Sequence, residues 1–166
     1  CVGAGHVYVT PEQLVPWTQV MLPFEDEAFA PAGVVSPASV EELQRLLAVC
    51  NRYRVPVWPV STGRNFGYGS ALPATRGQVI LDLKRLNRIL EVDPVLCTAL
   101  VEPGVTTLAV AEAASAAGLF YPPDPGSMKI STIGGNVAEN SGGLRGLKYG
   151  ITRNYVMGLE VVLPDG

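Results

Sequence analysis

Two glycine-rich polar stretches hold the residues best suited to chemistry. In the first, Ser61, Thr62, Gly63, Arg64, Asn65, Phe66, Gly67, Tyr68 and Gly69 follow one another. Glycines let backbone N–H groups come close to a phosphate, hydroxyls add donors and a guanidinium adds charge, so the composition is that of a diphosphate cradle. An ordinary glycine-rich connection has the same make-up, and this stretch alone leaves both readings open. It lacks the Gly-Lys-Ser/Thr ending of a P-loop and no helix follows to lend its dipole, which argues against nucleoside triphosphate hydrolysis.

The second stretch, residues 121–150, is rich in Gly, Ser and Asn. A polar loop of that length inside a compact domain is unusual unless it wraps a ligand. Pro122, Pro123 and Pro125 stiffen its entry, while Gly134-Gly135 and Gly142-Gly143 permit close approach of backbone to a flat ring or an extended polyol chain. No convincing general base stands out. Arg64, Tyr68, Lys148 and Tyr149 are candidates for groups near a ligand, although Lys148 and Tyr149 can equally brace the loop, and Asp124, between two prolines, suits a turn cap. His6, the one histidine, reads as a solvated residue.

Elements that can position these stretches are legible around them. Residues 36–54 carry a capping box of Ser39 and Glu42, with Val40, Leu43, Leu46, Leu47 and Cys50 at helical spacing, and predict an amphipathic helix. Residues 55–60 predict a buried strand that delivers the first glycine-rich stretch. Residues 79–83, 88–92 and 98–101 predict three more strands, with Asp93-Pro94 turning between the last two, and residues 106–118 a second helix ending on a glycine. Within the second stretch there is room for a short helix at 133–140, and the apolar run 156–163 predicts a final strand buried on both faces. Residues 1–33, broken by Pro11, Pro16, Pro23 and Pro31, predict an arm with at most one helical turn, anchored by Trp17 and Phe24. The strand–helix alternation is not sustained, so the expected class is α+β.

Bulk properties narrow the function classes. Fifteen acidic and twelve basic residues give a net charge of −3 without a basic cluster, which argues against a nucleic-acid partner. Charged residues make up 16% of the chain against about 25% in typical soluble domains, which leaves surface for a partner. Cys1, Cys50 and Cys97 form neither a disulfide framework nor metal-ligand spacing, so no metal is expected. The absence of a long apolar segment and of a signal-like start leads to the expectation of a cytoplasmic protein, and the absence of an initial Met to that of a processed or truncated start.

The motifs resemble the FAD-binding domain of the flavoprotein family that holds p-cresol methylhydroxylase, vanillyl-alcohol oxidase and the glycolate oxidase D-subunit with its D-lactate dehydrogenase relatives. "PVSTGRNFGYGSALPATRGQVILDLKRLNRIL" and "ALVEPGV" resemble the p-cresol methylhydroxylase branch, and "PPDPGSMKISTIGGNVAENSGGLRGLKYGITRNYVMGLEVVLPDG" the glycolate oxidase branch. The resemblance implies an arm over 1–33 and an FAD-binding domain over 34–166, its first subdomain at about 34–105 and the start of a second at about 106–166. It assigns Ser61, Thr62, Gly63, Arg64, Asn65, Phe66 and Gly67 to the FAD diphosphate and Pro103, Gly104 and Val105 to a turn beside the cofactor. Ser127, Thr132, Gly135, Glu139, Asn140, Ser141 and Gly142 fall on its ribityl, diphosphate and isoalloxazine contacts.

Asn65-Phe66 stand where some members carry a flavin-linking His, so the expected flavin is non-covalent. The implied activity is hydride removal from a 2-hydroxy acid or a para-substituted phenol, the alternative being an inactive FAD-binding module. The family pattern continues beyond this chain into further strands and a cap domain, so self-association or a partner supplying those parts is expected.

Overall fold

The computed structural model describes residues 1–18, 29–62 and 71–166. Phe24 and the loop residues Gly63, Arg64, Asn65, Phe66, Gly67 and Tyr68 lie outside the described residues. The chain divides into two units, Cys1–Arg85 with Glu160–Gly166 and Leu86–Leu159, and strands and helices mix in both as an α+β fold.

The first unit is built on four strands, β1 (Val7–Tyr8), β2 (Gly33–Val35), β3 (Val57–Val60) and β4 (Val79–Asp82), in the order β1-β2-β4-β3. β1 runs antiparallel to β2, while β4 enters between β2 and β3 parallel to both, setting Ile80 beside Val34 and Trp58. Two helices belong to this unit, α1 (Pro11–Thr18) and α2 (Val40–Tyr53). At the start of α2, Ser39 Oγ accepts the Glu42 N–H at 3.2 Å, while Glu42 Oε2 accepts the Ala38 N–H at 2.8 Å. The helix stops where Arg54 turns left-handed at φ 54°, and the expected stripe lies inward with Leu47 buried. Leu14, Trp17, Val34, Ala71 and Ile80 form the core.

The N-terminal residues do more than lie over the domain. They contribute β1 and a two-turn helix α1, which reaches past the single turn expected near Pro11. Thr10 and Gln13 close a capping box before Pro11: Thr10 Oγ1 accepts the Gln13 N–H at 3.4 Å, and Gln13 Oε1 accepts the Val9 and Thr10 N–H groups at 3.0 and 3.2 Å. Trp17 is anchored as expected, its indole N–H donating to the buried Asp82 Oδ2 at 3.0 Å. Lys84 Nζ completes that carboxylate at 3.2 Å and sits 4.6 Å from the Trp17 ring.

The second unit opens with the hairpin β5 (Ile89–Asp93) and β6 (Thr98–Val101), whose turn is set by Asp93 Oδ1 accepting the Val95 and Leu96 N–H groups at 2.7 and 2.9 Å. Helix α3 (Thr107–Ala116) starts at Thr106, which caps the Ala109 N–H at 3.2 Å, and ends before Gly118 at φ 73°. The short helices α4 (Ile133–Glu139) and α5 (Gly146–Tyr149) follow.

The strand expected at 156–163 does not form. The segment carries no strand pairing, and Met157, Leu159, Val161 and Leu163 are exposed. Apolar sequence supplies strand propensity, but a strand needs a neighbour to satisfy its backbone groups, and none pairs with this segment among the described residues. Beyond it, residues 164–166 are tied to α2 by Asn51 Nδ2 donating to the Pro164 carbonyl and Gln44 Nε2 to the Gly166 carbonyl, both at 2.7 Å.

Candidate functional site

In the second unit the turn after β6 and the start of α4 are zipped together. The Ile133 N–H donates to the Val105 carbonyl and the Gly134 N–H to the Pro103 carbonyl, both at 2.9 Å, beside an isolated bridge between Thr106 and Thr132. The expected site residues Pro103, Gly104, Val105, Thr132 and Gly135 are thereby brought to one place. Gly134 makes the approach possible, since a Cβ there would stand 2.7 Å from the Pro103 Cβ. The turn itself is held from behind. Gly104 N–H donates to the Leu86 carbonyl at 2.7 Å, and the Glu102 carboxylate accepts Arg88 N–H and Nη2 at 2.7 Å and Nε at 3.1 Å. Those hydrogen bonds hold the Glu102 carboxyl below its ordinary range and raise Arg88 above its own.

Under this seam lies a buried polar cluster. Asn136 Nδ2 donates to Thr107 Oγ1 at 2.5 Å, and Thr107 Oγ1 lies 3.0 Å from Ser131 Oγ. Ser127 sits one turn earlier, its carbonyl accepting the Ile130 and Ser131 N–H groups at 2.8 and 2.7 Å. Thr132 Oγ1, by contrast, is buried and meets no hydrogen-bond partner among the described residues.

After α4, Asn140 turns left-handed at φ 51° and its Oδ1 accepts the Arg153 N–H at 3.1 Å. The Ser141 carbonyl accepts both Thr152 groups, N–H at 3.0 Å and Oγ1 at 2.7 Å, while Glu139 faces solvent and Gly142 packs against Ile151. Residues 139–142 thus form an ordered turn that leaves Glu139 free, one turn of helix away from Gly135. In the first unit, Ser61 and Thr62 follow directly on β3 and are half-buried; of the same loop, Gly63, Arg64, Asn65, Phe66 and Gly67 lie outside the described residues.

Lys148 and Tyr149 brace the second unit, which accounts for their place without a chemical role. Lys148 Nζ sits 4.9 Å from the Tyr149 ring, Phe120 meets that ring edge-on at 5.6 Å, and the Tyr149 carbonyl accepts the Tyr155 hydroxyl at 2.6 Å. Burial, with Tyr155 nearby, raises the Tyr121 phenol above its ordinary range. Asn136 and Thr107 escaped sequence reasoning, while sequence alone reads Gly134 and Gly143 as making way for a ligand and not for Pro103 and Asp124. Each is defined by a partner far along the chain, and only the paired glycines of "IGGNVAENSGG" hinted at two of them.

The fit to a dinucleotide-sized ligand rests on Thr132. An unpartnered buried hydroxyl costs about 1–3 kcal/mol, so its partner is expected from outside the described residues. Among the described residues no group of His, Cys, Asp and Glu side chains could hold a metal ion, and no helix is long and apolar enough to cross a membrane.

Residues 31–166 match the FAD binding domain family. The chain is similar to glycolate oxidase subunit GlcD of Bacillus subtilis (strain 168), with 54% identity over 136 residues, which are 82% of this chain and 28% of that protein. It is 53% identical over 104 residues, 63% of this chain and 20% of the relative, to the 4-cresol dehydrogenase [hydroxylating] flavoprotein subunit of Pseudomonas putida. Among solved structures, p-cresol methylhydroxylase with substrate bound superposes with a TM-score of 0.78 at 42% identity, covering 84% of this chain and 27% of that one. The chain therefore spans between a fifth and a third of the length of these relatives.

Proposed function

From the premise that this chain belongs to the FAD binding domain family and takes FAD as its cofactor, we propose that it serves a flavin-dependent oxidoreductase acting on a 2-hydroxy acid or a para-substituted phenol. When bound, the flavin supplies the hydride acceptor at N5. The chain's own residues supply binding and placement. Ser61, Thr62, Gly63, Arg64, Asn65, Phe66 and Gly67 would take the diphosphate; Pro103, Gly104 and Val105 would form a turn beside the cofactor. Ser127, Thr132, Gly135, Glu139, Asn140, Ser141 and Gly142 would meet the ribityl chain and ring through hydroxyls and backbone N–H groups.

The observation that carries this reading is the zipped seam of residues 103–105 with 132–135, where the buried Thr132 hydroxyl has no partner among the described residues. The two substrate classes are supported by relatives named for glycolate and 4-cresol, and by a D-lactate dehydrogenase of Anaerostipes hadrus at 40% identity over 136 residues.

The test is the visible spectrum of the purified chain incubated with FAD, taken before and after denaturation. We expect bound flavin with shifted bands that returns to the free spectrum on unfolding; a chain that takes up no FAD would sink the proposal. Acid precipitation checks the linkage. With Asn65-Phe66 in the diphosphate loop, the colour should stay in the supernatant, and a yellow pellet would refute non-covalent binding. Turnover is proposed for the polypeptide that carries the remaining parts of its relatives, and dye reduction with glycolate, D-lactate and p-cresol distinguishes the substrate classes. We further propose that residues 156–163, with Met157 84% and Val161 64% exposed, seat a strand from another part of the protein or a second chain. Val161→Asp should then reduce association of the chain in light scattering, and an unaltered mass would refute a second chain as the occupant.

A further inference from the structure

The residues of the second unit's long loop assigned above to the flavin lie between Asp124 and Arg145, two residues that are joined side to side. Asp124 Oδ1 accepts the Arg145 N–H at 3.0 Å and its Oδ2 pairs with Arg145 Nε at 3.3 Å. Arg145 is held in that position from its other face, its guanidinium lying 5.2 Å from the Phe120 ring. Between the two stands Gly143, where a Cβ would collide with the Asp124 backbone carbonyl. The contact therefore needs a carboxylate at 124, a glycine at 143 and a guanidinium at 145 together.

We propose that Asp124 and Arg145 are positioning residues, a clasp that closes the base of the cofactor loop and sets Ser127, Thr132, Gly135 and residues 139–142 at the flavin. The inference rests on the FAD reading above and adds to it the device that orders the loop. The clasp joins residues 21 apart in sequence. Opening it frees both loop ends while the seam to Pro103 and the Asn136–Thr107 bond stay in place, so the loss appears in ligand affinity before it appears in the fold. Arg145 is half exposed, and an ion pair so placed adds little to global stability. What it adds is order in a segment that otherwise pays for ordering on binding.

The experiment compares the unchanged chain with Asp124→Ala, Asp124→Asn, Arg145→Lys and Gly143→Ala, and with Gly5→Ala, where a Cβ meets open space, as control. FAD affinity is read from flavin fluorescence, the flavin environment from its visible bands, loop order from amide hydrogen exchange over residues 126–142 without flavin, and the fold from thermal melting without flavin. Asp124→Ala and Gly143→Ala should weaken FAD at least tenfold, shift the bands and speed exchange in the loop; melting stays within a few degrees in Asp124→Ala, whereas Gly143→Ala, whose methyl meets backbone, also melts lower. Asp124→Asn, which keeps an acceptor for the Arg145 N–H, and Arg145→Lys, which keeps the N–H and a cation, should fall between these and the control.

Unchanged affinity and exchange in Asp124→Ala, with FAD bound normally by the parent, would overturn the clasp and leave the proposed function standing. So would melting that falls as far as that of Leu47→Ala, since the pair would then be holding the fold. A parent that binds no FAD overturns the proposed function and the clasp's role with it, a different failure.

Discussion

The two units keep themselves together by different means. The first buries Leu14, Trp17, Val34, Leu47, Ala71, Ile80 and Leu81 around a four-stranded sheet, with Ser36 and Asp82 as its buried polar residues. Among the described residues, the second buries Leu86, Val105, Val110 and Ala114 and the prolines Pro122, Pro123 and Pro125 beside the polar Glu102, Thr107, Thr132, Asn136 and Thr152. Sheet packing is tolerant of which apolar residue fills a site, provided the volume is kept. A unit organised by buried hydrogen bonds depends on each donor and acceptor individually. The expected cofactor contacts of the second unit therefore sit where single polar changes matter most, and the first unit is the platform whose volume matters most.

The largest effect should come from the platform. Trp17→Ala removes a buried indole and leaves Asp82 without its donor, and we expect a loss of about 3–5 kcal/mol, read from denaturant unfolding. Amide exchange should quicken first in β2 and β4; an equal rise in both units would dissolve the contrast between them. Next comes Asn136→Ala, which deletes the bond to Thr107 Oγ1, with an expected cost of about 1–3 kcal/mol. Asn136→Leu should be no better, because volume is not what this position supplies. A stable Leu variant would mean that the second unit is apolar in character after all.

Gly134→Ala against Gly135→Ala sharpens the same point within one dipeptide. The Gly134 change drives a methyl into Pro103 and should cost about 1–3 kcal/mol. The Gly135 change is expected to act on FAD affinity and leave melting nearly unaltered. Equal destabilisation by the two would remove Gly135 from the binding residues.

The smallest effect belongs to Glu102. Its carboxyl is held below its ordinary range, first by the Arg88 hydrogen bonds, so the unfolded chain takes up that proton at higher pH than the folded one. The pair's contribution is complete above the unfolded pKa, about 4.3, and is lost as pH falls through the folded value. Because the Arg88 side chain is mostly exposed, we expect Glu102→Gln to cost about 1 kcal/mol or less at neutral pH. The gap to the unchanged chain should close below about pH 4. A gap that persisted at low pH would mean that Glu102 acts by packing.

Local chemistry was legible wherever it is self-contained. The Ser39–Glu42 capping box, the Asp93 turn, the Thr106 cap with its terminal Gly118 and the short helix after Thr132 all depend on residues within a few positions of one another, and each was readable from the string. Helix α1 was readable too, from Thr10, Pro11 and Gln13, but four prolines in the first 33 residues masked the capping box. The length and paired glycines of the long polar stretch raised the expectation of a ligand loop. The sequence by itself thus determined the class, the α2 and α3 helices and, through its family motifs, FAD as the cofactor.

Tertiary structure decided the rest, because the deciding partner is remote. It placed Asp82 under Trp17, 65 residues away, and Asn136 on Thr107, 29 away. It gave Gly134 to Pro103 and Gly143 to Asp124 as the glycines whose missing Cβ matters. It also left residues 156–163 without a strand: an apolar run carries the propensity, but its backbone hydrogen bonds belong to a neighbour that propensity cannot supply.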